Sequence, residues 1–232
     1  MYEIKIFGFS FSAYWSLLII AAIFTVILSI KRAKKYEISK RKAIIIAVLL
    51  ILYGCIGAKL LYIAEYPNRA VSLRGGMSLF GSVYFIPIAF AITVILLKIK
   101  YIKCMDFIAL YGPFIFAFMR IGCYLNGCCG GIEIVTATNI HFIPPVQLIE
   151  CLFDVLIFCL LLYCENRKVK PGTGLQYPIF MVCYALIRFF IEFWRNTPKE
   201  IFGFSEGQWF SVITFALGAG IFWILKRKED IS

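Results

Sequence analysis

Seven stretches of this chain each run for about 20 residues with little or no charge, enough apolar length to cross a hydrocarbon core of about 30 Å. They fall at 13–30, 43–64, 77–97, 107–125, 145–164, 177–194 and 209–225. A backbone in lipid must satisfy its own hydrogen bonds, so runs of this length become helices. The expected fold is all-α, a polytopic membrane protein with about seven transmembrane helices. Composition agrees: 62% of the residues are hydrophobic and 16% charged, where a soluble domain has about 45–50% and about 25%. No polar stretch is long enough for a separate soluble unit, so residues 1–232 are read as a single integral membrane domain.

The formal net charge of +11 would suit nucleic acid, but its distribution speaks for a membrane instead. Seven of the 24 basic residues (Lys31, Arg32, Lys34, Lys35, Lys40, Arg41 and Lys42) sit between the first two apolar runs. Such a basic connection is retained in the cytoplasm. With the N-terminus outside, the outer connections hold 5 Lys and Arg and the inner ones 16. That asymmetry sets the expected orientation: N-terminus outside, C-terminus cytoplasmic. Residues 1–12 lack the basic region of a cleaved signal peptide, so the first run is an uncleaved span. No inverted repeat of the transporter kind is found.

A charge at mid-bilayer costs roughly 2.5–3.5 kcal/mol, so the charges inside the runs (Lys59, Arg120, Glu150, Asp154, Arg188 and Glu192) are expected to face protein or a polar cavity. In the sixth run, Tyr184, Arg188, Glu192 and Arg195 share one helical face. In the fifth, Gln147, Glu150 and Asp154 do the same. These two faces could neutralise one another as an ion-pair seam, or line a charged cavity. The fourth run ends in Arg120 followed by Gly122, Asn126, Gly127, Gly130 and Gly131. Glycines let backbone amides approach a ligand closely, and an adjacent guanidinium completes a cradle for an oxyanion such as phosphate. A tight helix-terminating turn would use the same residues. Lys59 follows Gly57 and Ala58 in the second run, and Gly75, Gly76 and Gly81 form a second glycine-rich approach.

Nine cysteines are mostly single and embedded in the runs, where a thiol acts as a small apolar group. Cys123, Cys128 and Cys129 cluster at the expected outer face, where disulfides are permitted. Their spacing matches no zinc motif and His141 is the only histidine, so no metal ligand set is expected.

Taken in order, these motifs resemble the prolipoprotein diacylglyceryl transferase family over nearly the whole chain. Its signature Arg-Ile-Gly-Asn-Phe-x-Asn-Gly-Glu-x-x-Gly is similar to Arg120 through Gly131, and its Gly-Ala-Arg to Gly57, Ala58 and Lys59. Its Gly-Gly-x-Ser-x-His-Gly resembles the segment from Gly75 to Gly81, and its Pro-Ser-Gln-Leu-Tyr-Glu the segment from Pro145 to Glu150. Its Tyr-x-x-x-Arg-x-x-x-Glu-x-x-Arg is intact as Tyr184, Arg188, Glu192 and Arg195, and Gly207-Gln208 matches its final pair.

The resemblance implies seven spans in the bacterial inner membrane and no cofactor. It implies transfer of the diacylglyceryl group of phosphatidylglycerol to a cysteine thiol of lipobox-containing precursor proteins, with glycerol 1-phosphate leaving. Arg120, Arg188 and Glu150 are then the expected catalytic residues. Lys59, Gly81, Asn126, Gly127, Gly131, Gln147, Tyr184, Glu192 and Arg195 are expected to bind substrate. The chain departs from the pattern at Phe80, where the family has a histidine, and at Cys123, Cys128 and Ile149, where it has asparagine, glutamate and tyrosine. These departures keep open an altered acceptor, a non-catalytic phospholipid-binding paralogue, and a thiol-redox membrane protein built on the three clustered cysteines.

Overall fold

The computed structural model describes residues 3–6, 9–66, 77–135, 141–167, 169–199 and 202–231, with side chains described from Trp15 to Lys228. Helices α1 (Ala13–Ala33), α2 (Lys40–Glu65), α3 (Leu79–Leu97), α4 (Tyr101–Ala109), α5 (Tyr111–Leu125), α6 (Val146–Arg167), α7 (Gln176–Ile191) and α8 (Glu206–Ile231) follow in order. Among them they make seven spans, the fourth assembled from α4 and α5 across Leu110. That span starts at Tyr101 rather than near 107. Lys103 and Asp106 lie in its first turns and hide it from a search for uncharged length.

Two short hairpins were not expected from the sequence. Strand β1 (Glu3–Ile6) pairs antiparallel with β2 (Phe9–Ser12), Ile4 opposite Phe11. The alternation of Ile4, Ile6, Phe9 and Phe11 with other residues carries the two-residue period of a strand. Strands β3 (Ile134–Val135) and β4 (His141–Phe142) form the second pair.

Close helix crossings and buried polar ties hold the spans together. Gly57 and Gly81 face each other so tightly that a Cβ on either would run into the other's carbonyl oxygen, and α2 and α3 cross there backbone to backbone. Pro87 inside α3 has no N–H to give the Val83 carbonyl, and that carbonyl accepts a 2.8 Å hydrogen bond from the Tyr177 hydroxyl of α7. Asp106 on α4 accepts from the amides of Gly172, Gly174 and Gln176 at 2.8–2.9 Å, which latches the segment leading into α7. Arg32, assigned from the sequence to the basic connection, is instead buried. It pairs with Glu165 of α6 and donates to the Phe107 carbonyl at 2.8 Å, while Tyr36 donates to Glu165 at 2.8 Å. Outward faces carry the apolar belt that lipid requires, as on α3, where Ile88, Ile92 and Ile95 are exposed at helical spacing.

Candidate functional site

The apolar fifth span presents Gln147, Glu150 and Asp154 along one stripe, and all three are buried against α5 and α7. Glu150 is the centre. Its Oε2 lies 3.0 Å from Nε of Arg120 on α5 and 3.2 Å from an Arg195 guanidinium nitrogen, and its Oε1 pairs with Arg188 on α7. Just past the end of α7 and one turn beyond Arg188, Glu192 takes the other side of Arg188 at 2.8 Å and lies 3.6 Å from Arg195 Nε. Thr197 donates to Glu192 at 2.8 Å, a contribution for which the sequence held no signal. Three guanidiniums thus share two carboxylates.

Between these groups lies a cleft of about water size, lined by Arg120, Glu150, Asp154, Tyr184, Ile187, Arg188 and Ile191. Tyr184 is buried, and among the described residues its hydroxyl has no hydrogen-bond partner. Arg195, just past the sixth span, is held below the usual arginine range by burial and by the neighbouring Arg188 charge. Guanidiniums crowded in this way gain from any further anion brought among them. The site as it stands admits water but no lipid headgroup, so an anion entering it must displace Glu150 from at least one arginine.

The chain after α5 closes one side of the cluster. Helix α5 ends with Asn126 and Gly127, the latter in the left-handed conformation at φ 65°. Gln147 donates to the Cys128 carbonyl at 2.7 Å. Gly131 bridges Arg195 as an isolated antiparallel pair, and the Ile132 amide donates to the Trp194 carbonyl at 2.9 Å. A Cβ on Gly131 would lie 2.7 Å from the Pro144 carbonyl oxygen, so only glycine fits that crossing. Gly207 at the start of α8 performs a similar service, with room for a Cβ only 3.0 Å from the Glu192 carboxyl carbon. The Cys129 thiol is held low by the Cys123 and Cys128 thiols beside it, with the Arg195 and Arg120 charges adding to the effect.

The structure therefore brings Arg120, Glu150, Tyr184, Arg188, Glu192 and Arg195 together, with Gln147, Asn126, Gly127 and Gly131 shaping the adjoining turn. Two expected residues lie elsewhere. Gly81 serves the α2–α3 crossing, and Lys59 is half-buried with its ammonium 5.2 Å from the Tyr62 ring centre. Gly75 and Gly76 lie outside the described residues. Phe80 sits in an aromatic cluster with Tyr84, Tyr184 and Phe210, its ring 5.7 Å from that of Tyr184.

Similarity to known proteins bears on what such a cluster does. The family model described as prolipoprotein diacylglyceryl transferase matches residues 2–224. A phosphatidylglycerol–prolipoprotein diacylglyceryl transferase of Campylobacter curvus is 32% identical, with 96% of this chain and 93% of that protein covered. The enzyme of the same name from Clostridium tetani is 28% identical over 97% of this chain and 98% of its own length. A second such transferase of Clostridium perfringens is 25% identical over 97% and 94%.

Proposed function

Because the chain belongs to the prolipoprotein diacylglyceryl transferase family, we propose that it transfers the diacylglyceryl group of phosphatidylglycerol to a cysteine thiol of a bacterial lipoprotein precursor. It is a multi-pass membrane protein; we place it in the inner membrane with its reaction site towards the outer surface. The lipobox cysteine is its acceptor, and nucleic acid has no part in its action. The observation that carries this reading is the convergence of Arg120, Arg188 and Arg195 on the single carboxylate of Glu150, buried among apolar spans.

Such an arrangement is suited to anion exchange. The lipid phosphate takes the carboxylate's place on Arg120 and Arg188, and the Tyr184 hydroxyl, which has no partner among the described residues, donates to it. The acceptor's sulfur attacks the glycerol carbon, the carbon–oxygen bond to phosphate breaks, and its electron pair stays on the departing glycerol phosphate. Negative charge grows on the phosphate during that step, where fixed guanidiniums oppose it most strongly. Glu150 keeps the arginines aligned between turnovers, and Glu192 holds Arg188 and Arg195 from the other side. Uptake of the thiol proton has no histidine available at position 80.

The test is direct. The purified protein is incubated with phosphatidylglycerol vesicles and a lipobox peptide, and thioether product is sought by mass spectrometry. Product from the native chain, and at least about 10²-fold less from Arg188→Ala, is expected. Specific lipid binding without any product would instead favour the non-catalytic paralogue, for which Phe80 is the one motivating feature.

A further inference from the structure

Helix α5 ends in a way that dictates where its last cysteines go. The Cys128 amide donates to the Cys123 carbonyl at 3.1 Å and the Gly127 amide to Tyr124 at 3.0 Å, with Gly127 left-handed. This double hydrogen bond is the Schellman ending, which sets the residue after the glycine against the third-last helical residue. Here those two residues are Cys128 and Cys123. Cys129 then adopts φ 61°, a conformation a side-chain-bearing residue takes up at a cost. Its effect is to turn a third sulfur back on the first two, so that all three Sγ atoms lie within 4.8 Å of one another. In sequence the three are spaced unlike any zinc motif; the helix ending and the strained residue bring them together.

We propose that Cys123, Cys128 and Cys129 form a three-sulfur site for a thiophilic divalent cation of the zinc type, whose fourth position takes the acceptor's cysteine thiol. The second half of this proposal rests on the transferase reading above. Sulfurs bound tetrahedrally at about 2.3 Å stand about 3.8 Å apart, so closing on an ion asks each thiol to move by less than about 1 Å. Three protein ligands leave one position open, the arrangement of catalytic rather than structural zinc. Cys123 is buried while Cys128 and Cys129 are exposed, so the three sulfurs can be reached from outside the helix core. Three thiolates on a divalent cation carry one net negative charge, and Arg120, one turn before Cys123, and Arg195, bridged to Gly131, supply the opposite sign beside it.

The chemistry meets the want left by Phe80. Coordination draws the proton off the acceptor thiol, which passes to water at the membrane surface. The bound sulfur then uses its lone pair to form the bond to the glycerol carbon, while the carbon–oxygen electron pair leaves with the glycerol phosphate. The product thioether is a weaker ligand and departs, and the cation is unchanged.

Cobalt(II) serves as the spectroscopic probe on full-length protein in detergent after treatment with a chelator. Expected are one equivalent bound, thiolate-to-cobalt charge-transfer bands and tetrahedral d–d bands. All should vanish in a Cys123→Ser, Cys128→Ser, Cys129→Ser variant that still elutes as the native chain does, and survive in Cys159→Ser. A lipobox peptide should shift the d–d bands, and its Cys→Ser analogue should not. Transfer should fall by about 10²-fold on chelation, the low end of what a proton-handling group contributes, and return with zinc. Cobalt bound no better by the native chain than by the triple variant overturns the site. Bands indifferent to the peptide, or transfer untouched by chelation, overturn the fourth-ligand role. Peptide-sensitive bands without any transfer support the site and refute the transferase reading instead.

Discussion

Glu150 is the residue on which the cluster depends, because three guanidiniums lean on its two oxygens. Glu150→Ala leaves those charges buried without a counter-ion, and removing one member of a buried pair costs about 3–5 kcal/mol. A large fall in thermal midpoint in detergent, together with loss of transfer, is therefore expected. Arg188→Lys keeps the charge but not the fork that reaches Glu150 and Glu192 at once. Folding should be largely preserved and transfer reduced, which a comparison of thermal midpoint with product yield would show. The residue types at this site were legible in the sequence: a charge in an apolar run needs a reason, and helical spacing put Tyr184, Arg188 and Glu192 on one face. Their common focus was not, since spacing within a helix is silent about which neighbouring helix supplies the partner. The ion-pair seam and the charged cavity, held apart as alternatives from the sequence, are the same object in the structure. The small cleft is bounded by the pairs themselves.

Among the elements, α2 and α3 show how a motif suggestive of binding can have a packing cause. Gly81 belongs to a segment that resembles a family pattern, yet its neighbour is Gly57 at the crossing. Gly81→Leu should separate the two helices and lower the thermal midpoint even in lipid that cannot react, which distinguishes a packing role from a substrate contact. The latch on α4 makes a second case. Asp106 accepts three amides at the entrance to α7, and Asp106→Ala strands them; each buried donor left unpaired costs about 1–3 kcal/mol. Amide exchange at Gly172, Gly174 and Gln176 should accelerate in that variant. Nothing in the sequence announced this tie, because a carboxylate that caps a distant loop looks the same as one on a solvated turn. Helix ends were more readable: Gly127 in a glycine-rich turn marks where α5 stops, though the fold-back of Cys129 depends on a backbone conformation that composition does not specify.

At the scale of the whole molecule, the seven spans could be read from apolar length alone, because lipid leaves the backbone few choices. The two hairpins escaped for the opposite reason: strands of two to four residues are shorter than the windows in which a period can be recognised. The orientation expected from the sequence rests on the surplus of basic residues in alternate connections, and it predicts that a fluorescent protein fused after Ser232 matures on the cytoplasmic side, whereas a phosphatase fused there stays inactive. One helix bears on the membrane itself. Glu150 and Glu165 both belong to α6, fifteen residues or about 22 Å apart, and each is fastened by buried partners from other helices. Pinned near both ends, α6 has little freedom to tilt when the bilayer thins or swells, the usual accommodation to hydrophobic mismatch. The protein must then meet hydrophobic mismatch as a whole bundle rather than by tilting α6 alone. Its turnover should peak in vesicles of one acyl length and fall on either side, most sharply where the thickness asks the two fastenings to move relative to each other.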